Sequence, residues 1–286
     1  MSAIARVGVV GCGLMGSGLA EVSARAGCDV RVVVSREASV AAGRERVTRS
    51  LDTAVARGRL TASERTATLE RISFSADLKD LADREFVIES VIEDEAVKLE
   101  LFATLDAVVE DPEAVLASNT SSVPIMKLAR VTSRPAQVIG THFFNPVPVL
   151  ALVEVGCSLL TSERTYERTE AFMSGQLGKE VVRSQDRPGF VVNALLVPYL
   201  LGAIRMVEAG HARAEDIDKG MSLGCAHPMG PLQLADLVGL DTLADVASGL
   251  YAEYKDTSYA PPPLLSRMVE GGLLGRKTGR GFYSYP

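Results

Sequence analysis

The stretch that most constrains this chain is Val7-Gly8-Val9-Val10-Gly11-Cys12-Gly13-Leu14-Met15-Gly16, an apolar run that empties into the pattern G-x-G-x-x-G. Each glycine answers a separate need. Gly11 lets the chain turn sharply, Gly13 lets a ligand approach the backbone, and Gly16 lets the following helix pack closely on the strand. A helix opening at Leu14 and Met15 presents free N–H groups that suit an anion. The pattern is short, so its surroundings decide what it means. A strand-like run begins at Ile4, residues 14–26 carry helical periodicity with Gly27 as the stop, and residues 29–34 form a second strand-like run. In that setting Gly11, Gly13, Leu14, Met15 and Gly16 are expected to grip the pyrophosphate of a dinucleotide. The plainer alternative is a glycine-rich turn that binds nothing.

The rest of the chain continues the alternation. Residues 39–57 and 61–71 are charged and helix-permissive, which predicts a helical hairpin inserted after the second strand. Residues 72–75, 86–90 and 115–118 read as buried strands, with a helix over 95–109 that Asp111-Pro112 closes. Strand, helix and strand in repetition predict a parallel, doubly wound α/β sheet. Two further strand-like runs, 137–144 and 149–156, flank Asn145-Pro146-Val147-Pro148, a turn able to fold the second run back beside the first. From Pro188 onward the pattern is helical, with segments over 191–207, 214–223, 232–237, 242–254 and 264–269. The predicted boundary falls at Asp186-Arg187-Pro188, giving domains of residues 1–186 and 187–286.

Lys and Arg number 30 against 36 Asp and Glu, a net charge of -6, and no basic run interrupts the chain. That balance argues against a nucleic-acid partner. No apolar stretch reaches the ~20 residues of a membrane helix, and the first strand starts too early to leave space for a signal peptide. Cys12, Cys28, Cys157 and Cys225 lack C-x-x-C spacing, so four reduced thiols in a cytoplasmic protein are expected, with no metal site.

Among the three histidines, His142 alone lies inside a strand-like run. If the two late strands pair, Glu154 comes beside it and stabilises its cationic form, as a general base in hydroxyl oxidation requires. Residues 117–122, Ala-Ser-Asn-Thr-Ser-Ser, end an apolar strand. They fit either a substrate-facing turn or the cap of a short helix after Pro124. Asn193, amid apolar residues, reads equally as a satisfied core amide or as a group facing an interdomain cleft.

These blocks together resemble the short-chain L-3-hydroxyacyl-CoA dehydrogenases, a family that includes the bacterial 3-hydroxybutyryl-CoA dehydrogenases. The likeness runs through residues 11–16, 117–122, 142–148, 188–199, 227–231 and 275–283, almost the whole chain. It implies a Rossmann-type sheet followed by an all-helical domain that binds substrate and forms a homodimer. By the same resemblance His142 is the base, Glu154 its partner, and Ser121 and Asn193 contact the reacting substrate. Glu93, Lys98, Asn145 and Arg267 match cofactor-side positions, and Ser50 and Arg57 match acyl-CoA-binding ones. Two blocks read as mainly structural: the Pro- and Gly-rich corner at His227, and the basic tail turn over 276–281. The implied alternatives are a dehydrogenase of carrier-protein-bound 3-hydroxyacyl groups, a hydroxyacid or sugar-acid dehydrogenase, and a non-catalytic, crystallin-like nucleotide binder.

One departure stands out. The family usually ends its second strand with an acid that grips the adenosine ribose, whereas this chain has Ser35-Arg36. A hydroxyl followed by a guanidinium suits a 2′-phosphate, so NADP is weakly favoured over the family's default NAD. The plainer alternative has Arg36 pointing to water.

Overall fold

The computed structural model describes residues 3–285, which divide into two compact units between Arg187 and Pro188. The first unit holds an eight-stranded sheet. Its strands are β1 (Arg6–Val10), β2 (Asp29–Val33), β3 (Ile72–Ser75), β4 (Phe86–Glu89), β5 (Val115–Ser118), β6 (Val138–Phe143), β7 (Leu152–Cys157) and β8 (Glu180–Gln185). They lie in the order β3-β2-β1-β4-β5-β6-β7-β8, all neighbours parallel except the antiparallel pair β6 and β7. The chain leaves β1 toward β2 on one side and later returns to β4 on the other. That reversal opens a crevice at the carboxyl ends of β1 and β4.

Helices cover both faces, which is why the inner strands read as continuous apolar runs. Val7, Val9, Val30 and Val32 pack with Leu19 of α1 (Leu14–Arg25) in one core. Val10, Val33, Val87 and Leu116 pack with Phe102 and Leu105 of α4 (Glu95–Val108) in the other. The inserted hairpin is α2 (Val40–Ala56) and α3 (Ala62–Glu70). Val47 and Leu51 of α2 are fully buried in the same core as Leu19, while Thr61 and Glu64 form a reciprocal capping box that starts α3. A short α5 (Ile125–Arg130) follows Pro124.

Three local features differ from the sequence reading. The strand predicted over 149–156 begins only at Leu152, because Lys179 Nζ donates to the carbonyls of Val147 (2.5 Å) and Leu150 (2.7 Å) and holds those residues in a turn. Strand β8 went unread because it is a polar edge strand with little buried surface. Helix α6 (Glu163–Glu170), continued by a π-helical turn over Ala171–Gln176, also went unread, since it buries only Thr165, Tyr166 and Thr169.

The second unit is helical: α7 (Val192–Glu208), α8 (Ala214–Gly224), α9 (Pro231–Val238), α10 (Leu240–Tyr254) and α11 (Pro263–Glu270). Leu200, Leu201, Ile204, Leu232, Leu243, Leu250 and Leu265 form its core. Two buried aspartates fasten the tail. Asp236 accepts the N–H groups of Phe282 (3.0 Å) and Tyr283 (2.9 Å) and the Tyr285 hydroxyl (2.9 Å). Asp218 accepts the N–H groups of Leu232 (2.8 Å) and Gln233 (2.9 Å) and the Tyr283 hydroxyl (2.8 Å). The basic turn before that tail is engaged as well, Lys277 pairing with Asp241 and Arg276 lying over Tyr285. Among the described residues no helix is long and apolar enough to cross a membrane.

Candidate active site

The glycine turn sits where β1 meets α1, and its geometry shows why each glycine is there. Gly11 has φ +92°, and a Cβ on it would lie 2.5 Å from the Ser90 carbonyl oxygen. A Cβ on Gly16 would lie 2.1 Å from the Gly11 carbonyl oxygen. Gly13 is different: a Cβ there meets nothing within 4 Å, so the turn faces open space at this point. No side chain caps the N-terminus of α1, which Gly13 precedes, while Leu14 is exposed and Met15 half-buried beside it. Arg46 of α2 braces the turn by donating to the Cys12 carbonyl at 2.9 Å. The Cys12 thiol is pushed up to about 11 by burial, with Arg46 pulling the other way, so it stays protonated at neutral pH. A turn with tight glycines behind, open space in front and uncapped amides fits a pyrophosphate.

Beyond the end of β2, Val34 is buried, and Ser35 and Arg36 are exposed. The Arg36 guanidinium makes a long 3.4 Å hydrogen bond to the Ser39 hydroxyl. No carboxylate stands at Ser35 or Arg36, and the next acid is the exposed Glu37.

The second cluster lies at the ends of β4, β5 and β6. His142 and Glu154 are register partners across the β6–β7 pair, and Glu154 is completely buried. Nδ1 of His142 lies 2.8 Å from Glu154 Oε2, and Nε2 lies 3.0 Å from the Ser121 hydroxyl. A carboxylate at Nδ1 selects the tautomer protonated there and leaves Nε2 as the acceptor, the form a general base needs. Phe144 packs edge-on to the imidazole, with ring centroids 4.7 Å apart.

Glu93 organises the turn that carries Ser121. Its Oε1 accepts the N–H groups of Ser121 (2.9 Å) and Ser122 (3.0 Å), together with the hydroxyls of Thr120 and Ser122. Its Oε2 lies 3.1 Å from Lys98 Nζ. Burial pushes the Glu93 carboxyl up, but the Lys98 ammonium, the Thr120 hydroxyl and the Ser121 N–H outweigh it and hold it below its usual value. Lys98 itself is fully buried, and its ammonium also bonds Glu89 at 2.6 Å, so it bears on this side through Glu93.

The remaining sequence-derived candidates are more dispersed. Asn145 is exposed just beyond β6. Ser50 and Arg57 lie two turns apart on one face of α2, with Ser50 half-buried and Arg57 exposed as the helix's C-cap. Burial raises the pKa of the Glu21 carboxyl, with the Ser50 hydroxyl and Arg25 pulling it down. Asn193 is half-buried at the start of α7, and Arg267 is exposed on α11, paired with Glu270 at 2.5 Å. Sequence reasoning missed Glu89, and it read Ser118 and Asn119 as part of a substrate-facing or capping turn, whereas both side chains bond inside the protein. Glu89 and Ser118 bond each other at 2.6 Å beneath the site, and the Asn119 side chain accepts the Phe143 N–H at 2.9 Å, tying β5 to β6. The one signal for Glu89 was an acid placed inside an apolar strand. No cluster of three or more metal-ligating side chains exists among the described residues.

A dinucleotide turn at a sheet's switch point, with a hydroxyl–imidazole–carboxylate chain at the ends of neighbouring strands, defines an NAD(P)-dependent dehydrogenase. The family model for the NAD-binding domain of 3-hydroxyacyl-CoA dehydrogenase matches residues 6–187, and that for its C-terminal domain matches 189–285. The chain belongs to this family. It is 62% identical over 99% of both chains to a 3-hydroxybutyryl-CoA dehydrogenase of Mycobacterium tuberculosis. It is 44% identical to a probable one of Bacillus subtilis, covering 99% of this chain and 98% of that one. The crystal structure of M. tuberculosis FadB2 superposes with TM-score 0.98 at 61% identity over 100% of both chains. That of (S)-3-hydroxybutyryl-CoA dehydrogenase PaaH1 from Ralstonia eutropha does so with TM-score 0.94 at 44% identity, covering 99% of this chain and 100% of that one.

Proposed function

We propose that this protein interconverts an (S)-3-hydroxyacyl-CoA, short-chain and most simply 3-hydroxybutyryl-CoA, with its 3-oxoacyl-CoA. The observation that carries the reading is the Ser121–His142–Glu154 chain, with an acceptor nitrogen of His142 facing a hydroxyl at 3.0 Å and a buried carboxylate behind it. The names of the relatives support the same substrate class. In the oxidative direction His142 Nε2 takes the proton of the C3 hydroxyl, and Glu154 stabilises the imidazolium that results. Ser121 hydrogen-bonds the reacting oxygen, and Asn193 of the helical unit is assigned the same task by family likeness. NAD(P), when bound, supplies the acceptor for the C3 hydride. In the reductive direction the protonated His142 is the acid.

Gly11, Gly13, Leu14, Met15 and Gly16 would hold the pyrophosphate, with Glu93, Asn145 and Arg267 on the cofactor side and Lys98 acting through Glu93. Ser50 and Arg57 would meet the CoA portion, a basic side chain suiting its phosphates. The helical unit is assigned to substrate binding and homodimer formation. At the adenosine end, exposed Ser35 and Arg36 in place of an acid support acceptance of NADP(H) as well as NAD(H). Comparing both reduced cofactors on the wild type and Ser35→Asp tests this, and a strong wild-type preference for NADH would refute it.

The main test is reduction of acetoacetyl-CoA followed at 340 nm. Wild type is expected to turn over, with His142→Ala slower by about 10²–10⁴-fold. Full activity in His142→Ala removes the assignment, and faster turnover of a carrier-protein thioester than of the CoA thioester would replace the substrate. A protein without turnover on any 3-oxoacyl thioester would be a nucleotide binder instead.

A further inference from the structure

Glu89 has no part in the reaction described above, yet it is fully excluded from solvent at the end of β4. Each of its oxygens is engaged. Oε1 accepts from Lys98 Nζ at 2.6 Å and from the Val91 N–H at 2.7 Å, and Oε2 accepts from the Ser118 hydroxyl at 2.6 Å. Lys98 is equally buried and has Glu93 as its second carboxylate at 3.1 Å. Glu93 in turn holds the backbone N–H of Ser121, whose hydroxyl lies 3.0 Å from His142 Nε2. The run Ser118–Glu89–Lys98–Glu93–Ser121–His142 is therefore unbroken.

We propose that Glu89 is a positioning residue for the acid–base step. It fixes the Lys98 ammonium, Lys98 holds Glu93 against the Ser121 turn, and the turn keeps the Ser121 hydroxyl on His142 Nε2. The inference rests on the reading of His142 as the acid–base group. Its physical basis is that a single buried ammonium is shared between two carboxylates, one fully buried and one half-open. A buried ion that loses a partner is strongly destabilised, so without the Glu89 charge Lys98 must shift toward Glu93 or toward water. Either shift moves Glu93, and with it the four groups that Glu93 Oε1 holds. Small misplacement of a group that orients the reacting atoms costs turnover more than affinity.

A merely structural Glu89 would slow the enzyme to the same degree whatever residue 121 is. A positioning Glu89 would not. We therefore expect Glu89→Gln to lower kcat for acetoacetyl-CoA reduction by about ten- to a hundredfold at saturating substrate and cofactor, with KM for acetoacetyl-CoA changing less than threefold. In a Ser121→Ala background the same substitution is expected to cost less than threefold, because the hydroxyl through which it acts is gone. Equal losses in both backgrounds, or wild-type kcat in Glu89→Gln, overturn the proposal. If Glu89→Gln does not fold, Ser118→Ala carries the test. It removes one donor to Glu89 and is expected to lower kcat about three- to tenfold, again only when Ser121 is present. A wild type inactive on acetoacetyl-CoA would sink the function itself. An active one in which residues 89 and 121 behave independently sinks only this inference.

Discussion

Glu154→Gln isolates the electrostatic part of the proposed chemistry, because it keeps the shape of the side chain and removes its charge. Before reaction the neutral imidazole already donates Nδ1–H to the carboxylate at 2.8 Å. Only the strengthening of that contact as His142 becomes cationic counts toward the rate. Two unit charges about 4 Å apart attract by about 4 kcal/mol at an effective dielectric constant of 20, which is an upper limit here. From below, exchanging a charge-assisted hydrogen bond for a neutral one loses about 1–2 kcal/mol. A value of about 1.5–3 kcal/mol lies between, equal to a kcat loss of roughly ten- to 150-fold in hydroxyl oxidation. The assay is oxidation of (S)-3-hydroxybutyryl-CoA at saturating NAD(P), with KM expected to stay within a few-fold of wild type. Adding Glu154→Gln to His142→Ala is expected to cost almost nothing, since no imidazolium remains to stabilise. A kcat within threefold of wild type, or the same loss in both backgrounds, would refute the reasoning.

Two of the turn's three glycines, Gly16 and Gly13, should separate stability from binding. Gly16→Ala forces a Cβ to 2.1 Å from the Gly11 carbonyl oxygen, so it should lower Tm and abolish dinucleotide binding together, whereas Gly13→Ala meets no protein atom within 4 Å and should keep Tm while raising the dinucleotide Kd. Thermal unfolding and cofactor titration check both variants. Glu21 has a raised pKa from burial, so the folded state holds its proton more tightly than the unfolded one. Its ionisation therefore costs stability above the folded pKa, and the cost disappears as pH falls through that value. Glu21→Gln is accordingly expected to raise Tm more at pH 8 than at pH 5, and the reverse order would contradict it. Burial pushes the Cys12 and Cys28 thiols up to about 11 and also raises that of Cys157, while Cys225 is exposed. Iodoacetamide on the folded protein at pH 8 should therefore label Cys225 alone, as read by mass spectrometry.

How much of this was legible in the sequence follows from the kind of interaction involved. The glycine turn, the inserted hairpin and the helical second half were readable because each is written in local periodicity and in punctuation by Gly and Pro. Strand β8 and helix α6 were not, since they bury little and lean on neighbours distant in the chain. The His142–Glu154 pair was readable as a conditional, because twelve residues and a turn rich in proline bring the two together if the strands pair. Glu89 was not readable, and Ser118 and Asn119 were readable as a polar turn but not as its partner and as a tie to β6. Their significance comes from β4, β5 and β6 lying side by side, an order that no local pattern contains.

That order also explains where the proposed acid–base group is built. Most of the sheet is parallel, and parallel neighbours are joined by long crossovers whose ends meet a ligand through loops. At β6 and β7 the chain reverses, and the pair becomes antiparallel. His142 and Glu154 are then set opposite each other by a ladder of backbone hydrogen bonds, which fixes a side chain's position more tightly than a loop does. A slip of one residue in that ladder would turn His142 to the other face of the sheet and break its contacts with both Ser121 and Glu154. The turn between the strands is held against such a slip by Lys179, whose ammonium bonds the carbonyls of Val147 and Leu150. From the other side, Asn119 ties β6 to β5 one residue beyond His142, through the Phe143 N–H. The imidazole is thus located by its neighbours on both strands, through contacts that its own strand alone would not supply.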